Sequence, residues 1–173
     1  MAHRKRFPEP FRLSQLNLLD RAAFVLAVGW VFEHSPWVAE RAWLRRPFGS
    51  LDDLHAAMVA ELTAASPEEQ VAVLRAHPDL GARVKMTDAS GAEQAGAGLN
   101  SLSPHEYARL QSLNTAYHDR FGFPFLYAVK GSTRHDILDA LEARVSAGRD
   151  EELREALRQV ARIARFRLED TVS

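Results

Sequence analysis

Apolar residues in this chain recur at helical spacing and rarely alternate. Leu153, Leu157, Val160 and Ala164 step by four, three and four, which lines one face of a helix. The starts of such segments are marked by recurring signals. Ser66-Pro67-Glu68-Glu69 combines a cap residue, a proline at the first helical position and a capping-box glutamate. Ser103-Pro104-His105-Glu106 repeats the signal, and Thr133 with Asp136, and Ser50 before Leu51, mark two more starts. Pro78 after His77, Gly122 after Phe121 and Gly148 after Ala147 mark stops. The best strand candidate, residues 125–129, is short and follows a proline. The pattern predicts an all-α, single-domain bundle of about eight helices. They are expected near residues 20–32, 36–44, 51–63, 67–77, 91–96, 104–120, 134–147 and 150–169. Residues 14–173 form the domain, and Pro8 and Pro10 keep residues 1–13 a loose, non-helical arm.

Composition narrows the classes. With 173 residues and 46% apolar types, one domain can build a core without covalent staples. The 22 basic and 23 acidic residues nearly cancel, which argues against a broad basic field for nucleic acid. Cysteine is absent, so disulfides, thiolate metal ligands and a cysteine nucleophile are excluded. The longest apolar run, residues 22–32, is too short for a bilayer, which takes about 20 residues, so no membrane segment is expected. The basic residues before it do not form a signal peptide with it, because Glu9, Asp20 and Arg21 interrupt. An intracellular, cytoplasmic protein is the expectation.

Against this background a few residues stand out. The next member of the terminal stripe is Arg167, within roughly 40° of the stripe's centre. A buried guanidinium needs a partner. Either it pairs with an internal carboxylate or snorkels out at the helix end, or it binds an anion in a pocket. On the pocket reading, Arg167→Leu restores the apolar stripe and should leave stability equal or greater. His77 lies one turn beyond Val73 and Leu74, where Pro78 ends a helix. The helix C-terminus favours imidazolium while burial favours the neutral ring, so a histidine here is either a cap or a group able to exchange protons.

Ser90-x-x-Glu93 reads as a capping box. With Gln94 it also gathers donors and acceptors at a helix start that could grip a small anionic molecule. Residues 121–131 set phenylalanines around a glycine and a proline, the composition of a core plug. Irregular backbone in a core nevertheless needs partners for its N–H and C=O groups, and an amide-rich ligand can supply them. Trp30, Trp37 and Trp43 read as packing anchors. No two of the seven histidines stand three or four apart, so no metal site is expected. There is no nucleophile elbow and no phosphate loop.

Taken in order, several stretches resemble one family, the 2-oxo-4-hydroxy-4-carboxy-5-ureidoimidazoline (OHCU) decarboxylases, which complete the conversion of urate to (S)-allantoin. They are Phe32-Glu33-x-Ser35-Pro36-Trp37, Arg46-Pro47-Phe48, Ala76-His77-Pro78-Asp79-Leu80-Gly81, Ser90-x-x-Glu93-Gln94-x-Gly96-x-Gly98-Leu99, Asn114-x-x-Tyr117-x-x-Arg120-Phe121-Gly122-Phe123-Pro124-Phe125 and Ala164-x-x-Arg167-Leu168. They cover roughly residues 24–168. The resemblance implies an all-α homodimer that works without metal or organic cofactor. It places the catalytic histidine on His77 and the catalytic glutamate on Glu93. It has Pro78, Ser90, Gln94 and the backbone of Phe125, Leu126, Tyr127, Ala128 and Val129 line the substrate, and Arg167 bind it. Two other classes stay open: a non-catalytic small-molecule-binding relative, and a helical interaction domain without a pocket.

Overall fold

The cap signals do set the helices. In the computed structural model, which describes residues 9–81 and 88–173, Ser66 Oγ accepts the Glu69 N–H at 3.2 Å and Glu69 Oε1 accepts the Ser66 N–H at 3.3 Å. Ser103 and Glu106 exchange the same pair of bonds, as do Thr133 and Asp136, and Ser50 caps through the Asp53 N–H. Each cap satisfies donors that a helix start leaves orphaned. The described residues form nine α-helices: α1 (Leu13–Leu18), α2 (Arg21–Val28), α3 (Trp37–Ala42), α4 (Leu51–Ala64), α5 (Pro67–Arg75), α6 (Asp88–Gly96), α7 (Pro104–Phe121), α8 (Arg134–Arg144) and α9 (Arg149–Thr171). Single 3-10 turns, Gly29–Val31 and Trp43–Arg45, extend α2 and α3. Among the described residues there is no strand beyond one isolated bridge, Phe11 to Val172. The all-α expectation therefore holds, and no helix there is long and apolar enough to cross a membrane.

Three departures from expectation stand out. Helix α1 was not foreseen: it is six residues long, and its start is marked only by Gln15, whose Oε1 accepts the Arg12 N–H at 2.9 Å. Helix α8 stops at Arg144, before Gly148. Helix α6 begins at Asp88, so Ser90 sits inside its first turn and is not the cap. Asp88 favours the earlier start, since a carboxylate suits the positive end of the helix dipole. Of the arm expected over residues 1–13, residues 1–8 lie outside the described residues. Phe11 is tied down, donating to Thr171 O and accepting from Ser173 N, both at 2.8 Å.

Two compact units emerge, one of Met1–Ala65 with Ala164–Ser173, the other of Ser66–Ile163. In the first, α3 packs on α2 and α4. Its core includes Leu16, Phe24, Val28, Phe32, Leu54, Met58 and Leu168. Asn17 clamps residue 48, accepting the Phe48 N–H at 2.8 Å and donating to its carbonyl at 2.9 Å. Trp43 is half-buried as an anchor: its Nε1–H reaches Leu19 O at 3.0 Å, and the Arg46 guanidinium covers its ring at 3.8 Å. In the second unit, α7 packs on α8, and Tyr117, Phe121, Phe123 and Phe125 form a buried aromatic cluster. Tyr117 lies 4.6 Å from Phe121 and 5.4 Å from Phe125, centroid to centroid. Each such ring contributes about 1.5–3 kcal/mol by burial.

Helix α9 corrects the sequence reading of its own face. Its buried positions are Glu152, Ala156, Gln159, Val160, Ala164, Arg167 and Leu168, while Leu153 and Leu157 are half-buried. The buried face is wider than the apolar stripe and turned by roughly 40°, keeping Val160, Ala164 and Arg167 inside and adding Glu152, Ala156 and Gln159, of which the two polar side chains find partners.

Candidate functional site

Helix α5 closes at Arg75 with Ala76 as its cap, and the chain turns away at Pro78. His77, buried, accordingly stands just past the helix end. Its Nδ1 lies 2.8 Å from Val73 O, four residues back. A carbonyl only accepts, so Nδ1 carries a proton, and in its neutral form the ring holds its basic lone pair on Nε2. Half-buried Pro78 fixes the exit, and Asp79 faces solvent.

The loop that follows is fastened at two points. Gly81 donates its N–H to Gln94 Oε1 at 2.7 Å, and Asn114 Nδ2 donates to Leu80 O at 3.0 Å. Gly81 has φ +71°, and a Cβ there would fall 2.4 Å from Leu110 Cδ2, so only glycine fits. The bond from Gly81 joins the His77 loop directly to α6. Because Gln94 spends its oxygen on Gly81, its NH₂ is the group it can offer elsewhere. Ser90 and Gln94 lie one turn apart and are buried, and Glu93, beside them, is half-buried. The helix ends in a Schellman motif: Leu99 donates to Gln94 O, Gly98 donates to Ala95 O, and Gly98 takes φ +82°. Thus the glycines after Gln94 close α6 and cradle no phosphate.

Residues 125–129 run without turn or bend, and the Phe125 and Tyr127 rings stack at 6.1 Å with 20° between planes. Side chains two apart on one face are the mark of an extended chain. This backbone has no partner strand among the described residues. Side chains supply partners instead: Arg144 Nη1 donates to Leu126 O at 2.7 Å, and Gln159 Oε1 accepts the Ala128 N–H at 3.0 Å. Arg144 is itself held by Glu152 Oε1, at 2.8 Å from Nε and 2.5 Å from Nη2, and Tyr117 donates its hydroxyl to the same oxygen. Burial, and then the bond to the Glu152 carboxylate, push the Tyr117 hydroxyl well above the usual tyrosine range. Sequence reasoning missed Arg144, Glu152 and Gln159. The only signal was two polar residues at heptad spacing, 152 and 159, on the helix that carries Arg167.

Arg167, in the first unit, points inward as expected, 3% exposed. Its Nη1 donates to Glu33 Oε2 at 2.7 Å, its guanidinium carbon lies 5.8 Å from the Trp30 ring centroid, and Glu33 is buried. A tight turn places Glu33: Ser35 N–H donates to Phe32 O, Ser35 Oγ–H donates to Glu33 O, and His34 adopts φ +48°. Of the two readings open at Arg167, the internal carboxylate is therefore present. With that carboxylate in place, leucine at 167 is expected to cost stability, because it removes the cation that Glu33 meets at 2.7 Å in a buried setting. His77, Pro78, Ser90, Glu93, Gln94 and residues 125–129 fall in the second unit. Among the described residues no group of three His, Asp or Glu could hold a metal ion.

Comparison with known proteins bears on these residues. The family model described as OHCU decarboxylase matches residues 17–169. The chain is 52% identical, over 161 residues, to the 2-oxo-4-hydroxy-4-carboxy-5-ureidoimidazoline decarboxylase of Haloferax volcanii, covering 93% of this chain and 96% of that one. It is 45% identical to the uric acid degradation bifunctional protein PucL of Bacillus subtilis, over 94% of this chain and 33% of that longer one. Among solved structures it resembles the crystal structure of (S)-allantoin synthase, with TM-score 0.77 and 32% identity, covering 95% of this chain and 54% of that chain.

Proposed function

The chain belongs to the OHCU decarboxylase family, and from that membership we propose that it decarboxylates 2-oxo-4-hydroxy-4-carboxy-5-ureidoimidazoline to (S)-allantoin in urate degradation. The observation that carries the reading is 52% identity over nearly the full length of a decarboxylase, with His77, Glu93 and Arg167 all present.

The chemistry must dispose of an electron pair. When the bond from C4 to the carboxylate carbon breaks and CO₂ leaves, the pair moves into the adjacent ring C=N and its nitrogen takes a proton. The substrate itself is the electron sink. The 4-hydroxyl then gives up its proton to become a carbonyl, and the neighbouring carbon gains one to give allantoin. In this reading His77 handles these protons through Nε2, with Nδ1–H fixed on Val73 O. Glu93, the Gln94 NH₂ and the 125–129 backbone orient the ring and ureido group, with Pro78 and Ser90 lining it. Arg167 holds an anionic part of the substrate. Delivery of the proton to one face gives the S isomer, and fixed donors in fixed geometry supply most of the acceleration.

His77→Ala should abolish turnover of freshly prepared OHCU while circular dichroism shows helix content unchanged. Retained turnover would remove His77 from the mechanism. A cytoplasmic homodimer completes the proposal. Leu18, Leu26 and Leu44 are exposed, and a second copy that covered them would take apolar surface out of water. Light scattering should give twice the 19.4 kDa chain mass, and a monomer throughout would contradict it.

A further inference from the structure

The 125–129 segment is an extended chain whose partner on one edge is made of side chains. In such a chain the N–H and C=O of one residue point to the same edge, and those of the next residue to the opposite edge. Leu126 O and Ala128 N–H belong to residues two apart, so they share an edge. Arg144 and Gln159 occupy that edge, as a neighbouring strand would. The N–H and C=O of Tyr127 then face the other way. One residue's N–H and C=O side by side is the donor–acceptor pattern that an antiparallel partner strand, or the edge of a cyclic amide or ureide, can match.

The residues that secure the first edge are held in turn. Glu152 takes both Nε and Nη2 of Arg144, and the Arg144 guanidinium lies 4.5 Å from the Phe125 ring centroid. Gln159 Nε2 donates to Glu155 Oε1 at 2.8 Å, which fixes the amide with its oxygen toward Ala128. Stability alone does not require this arrangement, because replacing a buried ion pair by apolar residues of similar volume is often neutral or stabilising. What the polar residues do that leucine does not is fix the edge and register of an unpaired backbone.

We propose that Gln159 and the Arg144–Glu152 pair are positioning residues, standing in for a missing strand on one edge of residues 125–129 so that the opposite edge meets the amide groups of the substrate. This rests on the decarboxylase reading above. The residues touch no reacting atom; they act through the backbone they hold.

The test compares wild type, Gln159→Leu, and the exchange Glu155→Gln with Gln159→Glu, which swaps donor and acceptor yet keeps an oxygen on Ala128 N–H. Each is assayed with freshly prepared OHCU, and the optical purity of the allantoin is read after subtracting the uncatalysed racemate. For Gln159→Leu, KM should rise about tenfold and the S excess should fall, because a template displaced by even 1 Å loses orientation. The exchange variant should return both toward wild type. A folded Gln159→Leu with lowered Tm but unchanged KM and S excess would overturn the proposal, leaving these residues a purely structural role. Should that variant not fold, Arg144→Lys, which keeps the charge beside Glu152 but loses the fork, gives the same two readings. Failure of wild type to yield S product would overturn the decarboxylase reading itself, and this proposal with it.

Discussion

Arg167 sits where helical periodicity asks for leucine, and Glu33 makes the position tenable. The two are 3% and 1% exposed at their side chains and 2.7 Å apart. Removing one partner of such a pair strands the other charge, at a cost of about 3–5 kcal/mol, whereas removing both is often neutral. Arg167→Leu alone should therefore lower unfolding free energy by about 3 kcal/mol, and adding Glu33→Leu should recover most of it, as urea titration would show. An undiminished single variant would mean that the pair holds nothing. Half of this was legible in advance. The inward arginine follows from spacing along α9, but its carboxylate lies 134 residues earlier, and no local pattern reports a partner at that range. His77 was more open to reading, because Pro78 and the helix end act within a few residues of it.

Helices with side-chain caps were placed to within a few residues, since cap and helix start are neighbours in sequence. Helix α1, short and marked by Gln15 alone, was not. Helix α6 is already under way at Asp88, ahead of the start that Ser90 and Glu93 signal in sequence. On α9 the apolar count favoured Leu153 and Leu157, while the fold turns Glu152 and Gln159 inward to serve Tyr117, Arg144 and the 125–129 backbone. Periodicity cannot foresee this, because a buried carboxylate is tolerated only where tertiary structure supplies donors. The Tyr117 hydroxyl carries a pH signature. It stays neutral in the fold while an unfolded tyrosine ionises near pH 10. Its stabilising contribution is thus complete below about pH 10 and is lost above it at roughly 1.4 kcal/mol per pH unit. Tyr117→Phe, which has no proton to lose, should show a shallower decline between about pH 10 and 11.5 in urea titrations. Parallel declines would mean that the hydroxyl ionises in the fold.

At the scale of the whole molecule, composition set bounds and little more. Near-cancelling charge and the absence of cysteine excluded classes, but only the ordered motifs pointed to a reaction. Those motifs mark the places where local rules are broken: a histidine buried at a helix end, an irregular aromatic segment inside the core, an arginine on an apolar face. Conflict between local preference and global fold is where function is expected to reside. Spontaneous decay of OHCU has no handedness, whereas delivery of a proton from one side of a fixed ring does. The decisive measurement is the time course of optical rotation when the wild-type chain meets freshly prepared OHCU, with His77→Ala alongside. The account predicts rapid accumulation of (S)-allantoin with the wild type and only slow racemate with the variant. Racemic allantoin from the wild type at the uncatalysed rate would contradict it.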